Sequence, residues 1–462
     1  MKTKTRAFYL LVNEIEKINF DLLTYIKTFS RFFYLLMLIT FDSIKFKTKN
    51  LYKSQLSKDP IVPRLELIKS ITKRMEHQNI IYVKFFQAFC LEQNILFNDE
   101  KDYLIKYIDN VPFNTDEIDY KLLDEINSQF NVEINHSLPI NSGIIGVVFS
   151  GIIKNNNENQ KVVVKMLKKN IKSKLLNVFQ EIELITKILQ WIPYLNHINF
   201  NKLFQDNKEL LLNQIDFLEE VNNIEIFKSK NENIKEFIIP KVYKEITDKF
   251  NNVIVMENIK GLTIHDLVKY DKEICDDFGK ILIKFGYISI IMTRAVHLDL
   301  HAGNVFFYIN KEDDSLVPKH QIGIIDFGLC CFPSREFQNT YYILLNDIIY
   351  KKNFNQTKKI LRNIIHEHNI YDNLTNENKN KLITEVIDCF NKSLNKKLDI
   401  SFLINLSIIL KKYNLNYSKE FNQICLSLNS CDCLGNLLCK DVQSTIKQCI
   451  DELSSIYKMI EI

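Results

Sequence analysis

Along the first 135 positions, apolar residues recur at the three- and four-residue intervals of helices. The clearest runs are Leu65 to Phe97 and Lys101 to Ile108, with breaks at Pro60, Pro63 and Pro112. From Pro139 the period changes to short β-rich runs, Val147 to Ile153, Val162 to Met166 and Val253 to Glu257, separated by polar turns such as NNNEN at 155–159. A long helical stretch, about Ser173 to Phe227, separates the second run from the third. After Gly261 helices dominate, interrupted by strands at Val305 to Tyr308 and Ile322 to Asp326, and the tail from about Ser334 to Ile462 is helical. No internal repeat is visible. The pattern predicts an α+β chain with three parts: a helical extension over 1–135, a mixed lobe with inserted helices over 136–260, and a helical lobe and tail over 261–462.

Composition narrows the class. A chain of 462 residues, 46% hydrophobic and 25% charged, has the balance of a folded protein, with core enough for about two to four structural units. Sixty Lys and Arg against 56 Asp and Glu leave a net charge of +4, too balanced for the basic field that nucleic-acid binding uses, so nucleic acid is excluded as the favoured partner. Ten cysteines with no secretory signal read as reduced thiols. Cys425, Cys431, Cys433, Cys439 and Cys449 lack the paired spacing of a zinc site and read as buried structural thiols, and Trp191 reads as core. The most apolar run, Phe32 to Phe41, is closed by Arg31 and Asp42 and is too short to span a bilayer. It extends back through Ile18, Leu22, Leu23, Ile26 and Phe29 with Lys27 and Arg31 interleaved; a helix packed on the domain behind it is the first reading, an interfacial helix the alternative. The expectation is an intracellular chain of open compartment.

Chemistry concentrates in four segments. Ile140 to Val148, read through Ile140, Asn141, Ser142, Gly143, Ile144, Ile145, Gly146, Val147 and Val148, holds NSGIIGVV, a G-x-x-G-x-V element that lets backbone amides approach phosphates or simply turns a hairpin. The strand VVVK just downstream ends in Lys165, a cation placed to hold nucleotide phosphates. His297 to Asn304 (HLDLHAGN) gives H-x-D-x-x-x-x-N, and Asp326, Phe327 and Gly328 give D-F-G. Phosphoryl transfer needs a carboxylate to accept a hydroxyl proton or orient a nucleophile, an amide oxygen on metal, and a second carboxylate bridging Mg²⁺ to phosphate; Asp299, Asn304 and Asp326 are the residues of those types. Glu257, closing its β run, joins the nucleotide-contacting set. After Gly328 the chain passes through CCFPSREF straight into helix, with no room for a peptide-docking activation loop, and Lys311 to Ser315 insert a polar hairpin.

From about residue 75 to 335 the chain resembles the UbiB/ADCK family of atypical, protein-kinase-like ATPases. Lys84, Phe85, Phe86 and Gln87 stand where that family has KxGQ, Gln214 to Asp216 stand on its ExD element, and DFLEEVNNIEIF (Asp216 to Phe227) resembles its DFxxEAxNxxxF helix, which makes Glu220 the partner implied for Lys165. Spacing alone leaves Glu181 and Glu183 as competitors. The resemblance implies a two-lobed kinase-like core, ATP with Mg²⁺, an N-terminal extension folded over the site, peripheral membrane association and a link to ubiquinone or other prenyl-lipid metabolism. Phe86 replaces the glycine of KxGQ and Gln214 the Glu of ExD, so the family's charge pair between Lys84 and that Glu is absent here. Two functions follow. One is an atypical kinase or ATPase with Lys165, Glu220 and Asp299 catalytic and Asn304 and Asp326 on Mg²⁺; the other is a nucleotide-gated binding module for an anionic membrane surface, a prenyl lipid or an unidentified protein partner.

Overall fold

The computed structural model describes residues 26–50, 64–86, 99–189 and 204–460, apart from short stretches such as 105–110, 155–158, 311–316 and 394–399. Trp191, the hairpin Lys311 to Ser315, and Phe85 and Gln87 of KFFQ lie outside the described residues. The chain is α+β and divides into two compact units. One holds residues up to Asn159 together with Val164–Ile215, the other Gln160–Val163 with Asp216–Ile462.

The first unit opens with helix over residues 33–50, then α1 (Arg64–Gln78). The single helix expected from Leu65 is interrupted at Asn79, whose side-chain oxygen accepts the Ile81 N–H at 3.0 Å and so starts a new helical segment. Helix α2 (Tyr120–Phe130) ends on Asn131, which takes the left-handed conformation (φ 52°) an asparagine tolerates. Three strands follow as a sheet: β1 (Val132–Ile134), β2 (Asn141–Ser142) and β3 (Gly146–Lys154), with both β1 and β2 antiparallel to β3. Alternation decides which residues face inward: Val147, Phe149 and Ile153 of β3 are buried, their neighbours less so. The same alternation in β4 (Asn159–Leu167) buries Val162, Val164 and Met166 and sends Lys165 to the other face. Helix α3 (Ile171–Leu189) completes the unit by packing Leu175, Val178 and Phe179 with Ile68, Ile81 and Val83 of the extension.

The second unit begins with α4 (Phe217–Lys230), capped by the Asp216 carboxylate on the Glu219 N–H at 3.1 Å. Strand β5 (Phe237–Ile238) pairs in parallel with β9 (His320–Ile324), which pairs antiparallel with β8 (Val305–Ile309); β6 (Val253–Glu257) lies antiparallel to Val242, with the Tyr243 N–H donating to the Val255 carbonyl at 2.9 Å, and β7 (Val296–His297) pairs with β10 (Cys330–Cys331). The predicted strand at 322–326 therefore stops at Ile324, leaving Asp326 beyond the ladder. Helix α5 (Lys272–Ile291) is nearly all buried on one side, against α6 (Lys419–Leu438) and α7 (Val442–Ile460). Gly279, Gly286 and Gly435 make that approach possible: a Cβ on Gly279 would lie 2.6 Å from the Cys439 nitrogen, and one on Gly435 2.6 Å from Cγ1 of Ile283. Cys425, Cys431, Cys439 and Cys449 are buried in this packing, while Cys433 is exposed. His366 precedes the helix that begins at His368, and Glu367 between them accepts the Asn416 N–H at 2.6 Å.

Candidate functional site

In the second unit the two motifs rich in acid and amide are tied into one frame by four hydrogen bonds. The Asp299 N–H donates to Nδ1 of His297 (3.3 Å), and Nδ2 of Asn304 donates to the Asp299 carbonyl (3.0 Å). The Ile325 N–H then donates to the Asn304 carbonyl (3.0 Å), and Nε2 of His297 meets the Ile325 carbonyl at 3.3 Å, closing the circuit. The segments that carry Asp299 and Asn304 and the residue before Asp326, separate in sequence, are thus joined by one set of hydrogen bonds. His297 is fully buried. Burial pulls its pKa below the usual imidazole value while Asp299 and Asp326 pull the other way. With Nδ1 accepting, the proton belongs on Nε2, so the ring is the neutral tautomer that donates to Ile325.

Asp326 is exposed and has φ 62°, a left-handed conformation that a short polar side chain tolerates; its carboxylate accepts the Gly328 N–H at 3.4 Å. Phe327 behind it is fully buried, edge-on to Phe227 at 5.0 Å and to His297 at 5.4 Å. Nδ2 of Asn223, itself buried, donates to the Phe327 carbonyl at 3.0 Å, and the Ser427 hydroxyl donates to the His297 carbonyl at 2.7 Å. These supports were not read from the sequence, although Asn223 and Phe227 lie inside the DFLEEVNNIEIF segment that singled out Glu220. Glu220 is 1% exposed in the first turn of α4, where a carboxylate meets the positive end of the helix dipole. Glu257 is exposed at the end of β6 and accepts the Lys241 N–H at 3.2 Å. Cys330, beside the D-F-G turn, has its thiol pushed up by burial, with Cys331, Glu220 and Asp326 adding to the effect, so it is a neutral packing group.

The first unit carries Lys165 and the loop Ile140–Val148 on its sheet. Gly143 donates its N–H to the Gly146 carbonyl at 2.9 Å, so the loop is a tight turn between β2 and β3. Its tip is anchored: Ile144 is buried in the cluster with Ile68, Leu104 and Leu175. Val111 donates its N–H to the Ser142 carbonyl and Lys168 to that of Ile145, both at 2.9 Å. Ile140 and Asn141 are exposed, Ser142 and Val147 buried, Ile145, Gly146 and Val148 half-buried. Glu181 is occupied within this unit by Tyr82 and, at 2.9 Å, by Arg31.

Asn304 and Asp326 also suit a magnesium ion. Among the described residues no cluster of three or more His, Cys, Asp or Glu stands ready for a metal. Mg²⁺ bound with phosphates needs only one or two protein oxygens, and Asn304, oriented through Nδ2, keeps its Oδ1 as an acceptor.

The fold and these motifs define a protein-kinase-like chain. The ABC1 atypical kinase-like domain matches residues 109–361, more than half the chain, and the chain belongs to that family. The match begins after KFFQ, later than the resemblance from about residue 75 had placed it. Similar curated proteins include an uncharacterised aarF domain-containing protein kinase of the Arabidopsis thaliana chloroplast, 26% identical over 41% of this chain and 34% of that one. An uncharacterised protein of the hydrogenase 1 5′ region of Clostridium pasteurianum is 25% identical over 77% and 65%, and the probable protein kinase UbiB of Pseudomonas fluorescens 24% over 52% and 46%. The chain thus spans between about a third and two thirds of these relatives. Among solved structures, a Mycobacterium tuberculosis chain described as Rv3197 in complex with erythromycin matches with a TM-score of 0.44 at 15% identity, over 81% of this chain and 98% of that one.

Proposed function

We propose that this protein is an atypical kinase or ATPase that binds Mg-ATP and transfers or slowly hydrolyses its terminal phosphoryl group, in support of prenyl-lipid (ubiquinone-type) metabolism at a membrane. Lys165 holds the α- and β-phosphates, Glu220 orients Lys165, and the backbone of Ile140 to Val148 with Glu257 contacts the nucleotide. Asn304 and Asp326 hold Mg²⁺, which when bound neutralises charge on the phosphates. Asp299 accepts the proton of the attacking hydroxyl or orients a water. The observation that supports this reading is the circuit through His297, Asp299, Asn304 and Ile325, the residue before Asp326, which ties the two motifs together by hydrogen bonds. Preorganisation of that kind is what phosphoryl transfer asks of a protein.

Purified chain should release phosphate from ATP with Mg²⁺, more so with anionic liposomes, and Asp299→Asn and Asp326→Asn should each lower the rate about 100-fold or more. Equal rates in wild type and both variants would sink the reading. A second reading, a nucleotide-gated binding module, is favoured by the anchored loop tip, since Ile144 must leave an apolar cluster before the loop can reshape around phosphates. If hydrolysis is absent in all three proteins while Mg-ATP still raises the melting temperature, this second reading stands.

A further inference from the structure

Helix α6 (Lys419–Leu438) sends one side into the packing against α5 and α7 and leaves the other uncovered. The uncovered side carries Leu426 (39% exposed), Ser430, Cys433 and Leu437 (66% exposed). At about 100° per residue these four fall within about 60° around the axis, so they form one stripe about 16 Å long. Asn429 and Asn436 border it. Between Lys419 and Lys440 the chain holds two charged residues, and neither belongs to this side: Asp432 is buried, and Glu420 lies about 120° around the axis from Leu426. With 25% of the chain charged, a helix side of two exposed leucines and uncharged neighbours departs from an ordinary solvated face. Loss of charge with apolar groups kept is what the core of a protein interface shows.

Spacing decides the occupant. Leu426, Ser430, Cys433 and Leu437 stand four, three and four positions apart, an order that reads the same in both chain directions. A second copy of α6 laid antiparallel across a two-fold axis therefore meets the stripe in register: each Leu426 packs on the Leu437 of the other copy, and each Ser430 on its Cys433. The leucines close the two ends, and the small residues in the middle let the helix axes approach. Within the stripe no charge is set against its like, because it has none. An anionic membrane would ask for cations along the rim, where Asn429 and Asn436 stand instead, and an acidic or basic protein would ask for the opposite charge.

We propose that this face of α6 is a homodimer interface in which two copies pair antiparallel about a two-fold axis. One helix pair makes a small interface, so the dimer is weak and depends on concentration. It goes beyond the function proposed above and is independent of the nucleotide site. The test is sedimentation velocity of the full chain, without nucleotide, over about a hundredfold range of concentration. Wild type should pass from monomer to dimer. Leu426→Glu and Leu437→Lys should each weaken the dimer about tenfold or more, since each buries unpaired charge in the interface. The double variant Leu426→Glu/Leu437→Lys sets Glu against Lys twice and should regain most of the dimer. Both positions are exposed in the single chain, so melting temperatures of the dilute variants should match wild type. A second measurement reads the register: with diamide as oxidant, Ser430→Cys should join two chains through Cys433 far more completely than wild type, as seen on a gel without reductant. Wild type monomeric throughout, a dimer indifferent to both leucine variants, a double variant no tighter than the single ones, or no gain in cross-linking would each overturn the proposal. So would a monomer whose sedimentation with phosphatidylcholine vesicles is lost in Leu437→Lys, because the face would then belong to lipid.

Discussion

His297 shows how one uncharged ring organises a site. Its folded pKa lies below the ordinary value of about 6.5, so the unfolded chain takes up the proton more readily. The stability that depends on the neutral ring is therefore complete above about pH 6.5 and is lost as pH falls below it. Melting temperatures measured from about pH 7 down to 5 should decline more steeply for wild type than for His297→Asn, whose midpoint is lower but flatter; parallel curves would remove the histidine from the account. Asn223 acts through one bond. Asn223→Ala leaves the buried Phe327 carbonyl with only the weak donor Cys330 Sγ, 3.5 Å away, and equilibrium unfolding should record a loss of about 1–3 kcal/mol. Gly143→Ala is the contrasting case: a Cβ there meets only the Gly146 oxygen at 3.9 Å, so stability should hold while Mg-ATP affinity falls if the loop grips phosphate. Gly146→Ala should likewise weaken nucleotide binding in a titration.

Between elements, the α5–α6 approach depends on missing side chains. Gly279→Ala drives a Cβ into the backbone of Cys439, which cannot yield, whereas Gly435→Ala meets Ile283, a side chain with other rotamers. Both should destabilise by about 1–3 kcal/mol, Gly279→Ala more, as read from denaturant midpoints. At the first unit's helix pair, the hydrogen bond from Arg74 holds the Asp42 carboxyl below its usual range, with burial opposing. A depressed carboxylate stabilises above its unfolded value of about 3.9 and ceases to do so as pH falls through the folded one. Asp42→Asn should accordingly be less stable than wild type at neutral pH and converge with it in acid below about pH 4.

For the molecule as a whole, nucleotide bound to the folded chain alone must raise its stability by mass action, about 2.7 kcal/mol at a hundredfold excess over Kd. Thermal melts with Mg-ATP check this, and Asp326→Asn should remove most of the shift. Strand β4 is divided between the two compact units, its residues Gln160–Val163 belonging with the second and Lys165 with the first.

By itself the sequence determined the α+β class, the short β runs such as the one that ends in Lys165, and the choice of Asp299, Asn304 and Asp326 as residues of the types phosphoryl transfer uses. Those are local properties: a two-residue period, or chemistry that demands certain groups within a few positions. Tertiary structure alone decided what holds them. The bonds from His297 to Ile325, Asn223 to Phe327 and Ser427 to His297 join residues 28, 104 and 130 positions apart, and no local pattern records a partner at such a distance. The burial of Ile144 at the loop tip and the exposure of Leu426 and Leu437 on α6 belong to the same class. An apolar residue states only that it leaves water if something covers it, and what covers it is settled when the elements pack.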